Sequence, residues 1–153
     1  EGARLYAASL KDPEKIRFLL NTDAVGGFMG RTEIYACGPK ELDLLVNETS
    51  RELGFPAHLK REVSPFSDHF PLECLGVPGL WYYRLTYLLA RHFHHSRLET
   101  PDVVSPDIMQ STVAHQARLL EKVVLSEKMP FPRSIPKGQR NQLNRLNREW
   151  CGT

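Results

Sequence analysis

The sequence predicts an α/β fold of three layers, with helices on both faces of a mixed, largely parallel sheet. Three observations carry this expectation. Segments of helical and strand pattern alternate along the chain, which is the signature of a layered α/β architecture. The strand-like segments are runs of apolar residues rather than strict alternations, as expected for strands covered on both faces. The helical segments carry their own start and stop signals.

Taken in order, "GARLYAASL" at the start reads as a short helix. "KIRFLLNTDAVGG" is an apolar run that stops at Asp23 and two glycines, and its unbroken character predicts an inner strand over residues 16–22. "GPKELDLLVNETSRELG" places Leu42, Leu45, Val46 and Leu53 at helical spacing, with Gly54 where a C-terminal cap belongs. "AHLKREV" and "GVPGLWYYRL" read as further strands, the second a buried one. "SPDIMQSTVAHQARLLEKVVL" is the strongest helix. Ser105 is a fitting N-cap, Pro106 fits the first helical position, and Met109, Val113, Ala117, Leu120 and Val124 form one apolar stripe. Pro130, Pro132 and Pro136 then make an extended segment, and "QRNQLNRLNREW" is a last helix with Leu143, Leu146 and Trp150 on one side. Residues 1–127 are expected to form the α/β domain. Residues 128–153 are a Pro-containing basic segment whose helix packs on it.

Composition narrows the function classes. The chain has 153 residues, enough for one domain with a real core. A net charge of +2 points to no particular partner. The basic side chains of residues 128–153, six Lys or Arg against the single acid Glu149, read as a solvated surface, so no nucleic-acid partner is expected. No apolar run approaches the roughly 18 residues of a membrane span. Cys37, Cys74 and Cys151 show no CxxC spacing.

In α/β sheets chemistry gathers at the carboxyl ends of the strands. Asp23 lies at one such end. The loop after "GLWYYRL" is another, and it leads to "RHFHHSRLETPD", which holds three of the six histidines within four positions. An acidic and an imidazole group are therefore expected at neighbouring strand ends. On composition alone, His58 and His115 read as surface histidines, Trp81, Tyr82 and Tyr83 as core strand residues, and Cys74 as a buried small hydrophobe.

"FLLNTDAVGG", "SDHFPLECLGVPGL" and "HHSRLET" resemble, in order and spacing, three blocks of the zinc aminopeptidases related to glutamate carboxypeptidase and the transferrin receptor. Those blocks read N-x-D-x-x-G, S-D-H/Y-x-P-F followed by G-I/V-P, and H-T/S-x-x-D/E-T. The likeness spans roughly residues 1–126. It implies a metallo-exopeptidase in which two zincs activate water. Asp23 would be a ligand of one zinc and His95 of the other. His94 would stand where many relatives carry an oxyanion-supporting Tyr, and Ser67, Asp68 and His69 would lie beside a peptide substrate. The family's H-x-D block and its glutamate pair, which supply the bridging carboxylate and the general base, would fall before Glu1. The resemblance thus implies the C-terminal part of a peptidase domain, completed by a preceding segment or another chain, and by itself inactive. It also implies a secreted or membrane-anchored lumenal protein. A non-catalytic receptor or scaffold is the alternative, and a single-zinc enzyme like glutaminyl cyclase is a third reading. Presence of both Asp23 and His95 favours the enzyme.

Overall fold

The computed structural model describes residues 1–84 and 93–151. A four-stranded sheet lies at its centre: β1 (Leu19–Thr22), β2 (Thr32–Cys37), β3 (Ala57–Lys60) and β4 (Gly79–Tyr83), in the order β1-β4-β2-β3. β1 is parallel to β4 and β2 to β3, while β2 and β4 run antiparallel. The helices are α1 (Gly2–Ser9), α2 (Lys40–Leu53), α3 (Phe70–Cys74), α4 (Pro106–Val124) and α5 (Lys137–Cys151). The expected three-layer α/β arrangement is what the chain forms.

Alternation along the central strands divides the layers, since successive side chains point to opposite faces. Ile34, Ala36, Leu80 and Tyr82 enter a cluster with Leu42, Leu45 and Val46 of α2 and Leu119 of α4. Cys37 faces the other way, where Phe70 of α3 and Leu143 of α5 close over it. Trp81 and Tyr83 share that second face with Tyr35, the strand partner of Trp81.

The helix ends follow their sequence signals. Ser105 caps α4 by accepting from the Ile108 amide, and Pro106 stands in its first turn. Gly54 ends α2 at φ 60, the left-handed region that glycine tolerates without Cβ strain. Gly26 serves close approach: a Cβ there would come within 2.7 Å of Val104 Cγ1. That contact brings the loop after β1 against the start of α4, where the Ser105 amide donates to the Gly26 carbonyl.

Three expectations are corrected. Residues 19–22 form an edge strand of the described sheet, half-buried, instead of an inner one. Phe18 and Leu20 pack onto the core from this edge, which accounts for the apolar run. The α4 stripe points outward: Val113 is 56% and Val124 75% exposed. The helix buries Thr112, His115, Gln116 and Leu119 instead. These polar groups are tolerated inside because each has a partner. Gln116 Nε2 donates to Thr22 Oγ1, and Thr112 Oγ1 to the Ile108 carbonyl. His115 is accordingly a core histidine. Its ring stacks on Phe55, with Nδ1 2.9 Å from Tyr82 Oη and Nε2 2.9 Å from Ser50 Oγ. His58 is exposed as expected, and Cys74 is half-buried against the Cys37 cluster.

Glu73 of α3 is 2% exposed beside the Cys37 thiol. Burial holds its carboxyl well above the ordinary range, and the Cys37 hydrogen bond offsets this only partly. The folded protein therefore keeps Glu73 protonated where the unfolded chain ionises it. Its contribution to stability is complete below the unfolded pKa near 4.5 and declines as pH rises toward the folded value. Glu73→Gln keeps the shape and cannot ionise. Its denaturation midpoint should fall less than the wild type's between pH 5 and pH 8, measured by urea titration; parallel profiles would contradict the assignment.

Candidate functional site

The parallel pairing of β1 with β4 aligns Thr22 with Tyr82, so both strands end at the same level. Asp23 is the next residue, and its amide donates to the Tyr82 carbonyl. Ala24 then turns the chain at φ 54. Arg84 fixes the loop that follows, donating to the Gly27 and Gly30 carbonyls and to Thr32 Oγ1.

The side chain of Asp23 is held by the block that resembles the family's S-D-H. Ser67 Oγ donates to Asp23 Oδ2 at 2.5 Å, and Asn21 Nδ2 donates to Ser67 Oγ at 2.8 Å. Two residues of "NTD" and one of "SDH", 46 positions apart at their extremes, thus form one relay. The relay fixes the orientation of the carboxylate, as the outer partners of a metal ligand do. Asp68 is exposed. His69 is 1% exposed and stacks on Trp81, with centroids 4.8 Å apart. Burial drives its pKa down to about 4, although a backbone bond to Ser64 and the Asp23 charge both favour the charged form. His69 is therefore a neutral ring behind the site wall.

A cleft of about 700 Å³ opens beside Asp23. Tyr35, Trp81, Tyr83, Phe66, Trp150 and His94 line it, together with Glu62. Trp81 packs at 4.8 Å on Tyr35 and 4.7 Å on Tyr83, and Trp150 meets Phe66 edge-on at 5.2 Å. Of the three residues read as core strand residues, Tyr82 is enclosed in the core, while Trp81 and Tyr83 line the cleft. Behind Tyr35, Glu33 takes Lys60 at 3.0 Å and Arg31 at 3.2 Å. Burial alone would raise the Glu33 pKa; Lys60, Tyr35 and Arg31 outweigh it and hold the carboxyl below its ordinary value.

Of the histidine cluster, the structure brings His94 to the cleft. Its Nδ1 is buried without a hydrogen-bond partner among the described residues. His95 is exposed and is not among the residues lining the cleft; its ring stacks on His94 at 3.8 Å. His95 has φ 57, and its amide donates to Glu99 Oε2 at 2.8 Å. This turn places the two rings side by side, which spacing alone does not reveal. His92 lies outside the described residues. Among the described residues no three His, Cys, Asp or Glu side chains converge as a metal site would require. A second cavity, of about 350 Å³, lies between the Gly26–Met29 loop and Val103, Val104 and Met109, and is largely apolar.

The fold has a counterpart among solved structures. The aminopeptidase from Aneurinibacillus sp. strain AM-1 superposes with a TM-score of 0.62 over 88% of this chain, at 21% identity. The chain spans 31% of that structure's length. Likeness at this identity establishes a shared fold. No protein-family model matches the chain, and no curated protein does. No helix among the described residues is long and apolar enough to cross a membrane.

Proposed function

We propose that this chain carries part of the active site of a zinc-dependent exopeptidase, with Asp23 as a ligand of one of two zincs. The observation that carries the reading is the Asn21–Ser67–Asp23 relay at the strand ends. It locks a carboxylate on the wall of a cleft that His94 also lines. A carboxylate and an imidazole are the donor types that suit zinc. When bound, the metal pair would polarise a scissile carbonyl and lower the pKa of a water.

The chain's own groups do the positioning. Ser67 spends its hydroxyl proton on Asp23 Oδ2, so the carboxylate presents a fixed edge. Arg84 and the Gly26 contact hold the loop after Asp23, so that edge does not wander. The aromatic wall of Tyr35, Trp81 and Tyr83 excludes water from one side of the cleft and offers stacking surface to a substrate side chain. The resemblance assigns the second imidazole ligand to His95. The cleft geometry favours His94, which lines the cleft with Asp23 and has Glu99 Oε1 4.0 Å from its Nδ1. The bridging carboxylate and the general base are to come from outside the matched blocks.

Metal removal tests the reading. In the active assembly, dialysis against a chelator should abolish hydrolysis of aminoacyl p-nitroanilides, and zinc should restore it. Hydrolysis indifferent to chelation would overturn the proposal. Absence of both zinc binding and turnover would instead favour the receptor or scaffold alternative.

A further inference from the structure

We infer that Glu62 makes the Asp23 cleft selective for a basic ligand side chain, one that ends in an ammonium or guanidinium group and that the aromatic faces of the cleft hold by cation–π contact. The inference rests on the reading of that cleft as a substrate site and names the class of side chain it accepts.

Glu62 lines the cleft two residues beyond the end of β3 and is exposed. Its carboxylate has no hydrogen bond or ion pair among the described residues. The two bases that precede it are engaged elsewhere. Lys60 pairs with Glu33 at 3.0 Å, and Arg61 donates to both carboxylate oxygens of Asp43 at 2.6 Å. No lysine or arginine is among the described residues that line the cleft. An exposed glutamate on a flexible side chain is free to turn to a ligand, and the fold loses no polar contact when it does. The cleft thus keeps an acid that its own chain does not neutralise.

The surroundings define the ligand. Tyr35, Trp81 and Tyr83 form one packed aromatic group on the cleft, and Phe66 and Trp150 form a second. Phe66 is 68% and Trp150 60% exposed, so the second pair stands at the mouth. An aromatic face attracts a cation through its quadrupole, and a guanidinium can also stack flat on it. Asp23 is not needed for this preference, because a metal that it binds takes up its charge. Glu62 remains as the acid that lines the cleft without a partner among the described residues. A neutral side chain of the same shape gains neither the charge pair nor the cation–π contact, and an acidic one meets repulsion. An exposed ion pair and a cation–π contact together correspond to about a 3- to 30-fold preference in affinity.

The test needs no turnover. Both tryptophans of the chain line the cleft, so their fluorescence reports its occupation. The 153-residue protein is titrated with L-arginine against L-citrulline, and with L-lysine against L-norleucine. Each pair shares its α-groups and differs at the end of the side chain, and none of the four has a peptide bond to cut. The basic member of each pair should bind about 3- to 30-fold tighter than its partner. Glu62→Gln should narrow each preference by about 1.5- to 5-fold, by weakening only the basic member, and Glu62→Lys should narrow it further. The two variants also separate the charge of Glu62 from that of a metal-free Asp23. Equal affinities in the wild type, a preference that both variants leave unchanged, or no binding of any of the four at millimolar concentration would overturn the inference. The wild-type comparison stands even where a variant misfolds. Failure of the peptidase reading is recognised separately, as absence of zinc-dependent hydrolysis with the side-chain preference intact.

Discussion

In the active assembly we propose, replacing Asp23 by Ala should reduce peptidase activity by more than two orders of magnitude while leaving the fold of this chain in place. Removing an outer partner of a metal ligand typically costs 10- to 100-fold, so removing the ligand itself should cost more. The fold should survive because the Asp23 side chain lies beyond the last residue of an edge strand, and its contacts to the sheet run through its amide. Far-ultraviolet circular dichroism and the urea midpoint are the controls, and kcat/KM on an aminoacyl p-nitroanilide is the readout. The same series separates the stacked histidines. If His95 is the ligand, as the resemblance implies, His95→Ala should match Asp23→Ala in effect, and His94→Ala should cost about 10- to 100-fold as a neighbour that orients it. The reverse order would transfer the ligand role to His94, which lines the cleft. Full activity in Asp23→Ala would mean that the relay from Asn21 through Ser67 serves the fold alone.

The layer architecture was legible because capping residues and apolar runs act locally. Ser105, Pro106 and Gly54 do in the structure what their types imply. The central strand β2 was not read from the sequence. Its residues Thr32 to Cys37 are nearly all buried on both faces, so no alternation shows, and Glu33 in its middle looks solvent-seeking. Glu33 is tolerated there because Lys60 of the neighbouring strand and Arg31 pair with it. The orientation of α4 was misread for a related reason. Its hydrophobic stripe is exposed, and its inward face is built from polar groups that meet Thr22, Tyr82 and Ser50. Such partners are far apart in sequence, and hydropathy does not register them. In the site, Asp23 was legible as an acid at a strand end. Its fixation by Ser67, the burial of His69 behind Trp81, and the left-handed turn at His95 depend on tertiary contacts and on one backbone angle.

Acidification from pH 6.5 to pH 4 should destabilise the protein, through His69 and His115. Burial is the first cause in each, and it drives both pKa values from 6.5 down to about 4. His69 has only a backbone partner at Ser64 and the Asp23 charge to favour its cation, and His115 only the Val46 backbone, with the Lys122 charge against it. The sign follows from proton counting. Between the two pKa values the unfolded chain binds protons that the folded one refuses, so stability is fully present above about 6.5 and is lost as pH falls toward 4. Each histidine gives a slope of about 1.4 kcal/mol per pH unit inside this window, or about 3 kcal/mol across it. Together they remove about 6 kcal/mol, a large share of the roughly 5–15 kcal/mol that holds a domain of this size. Glu73 works in the opposite direction, gaining as pH falls toward 4.5, and so partly masks the loss. In Glu73→Gln the acid slope should therefore be steeper than in the wild type. In His115→Gln it should be shallower by about 1.4 kcal/mol per unit, whatever that change costs at neutral pH. Stability from urea titrations at half-unit steps between pH 4 and pH 7 measures these slopes. A slope that His115→Gln leaves unchanged would show that His115 is charged in the fold, contrary to a ring enclosed by Phe55, Tyr82 and Ser50.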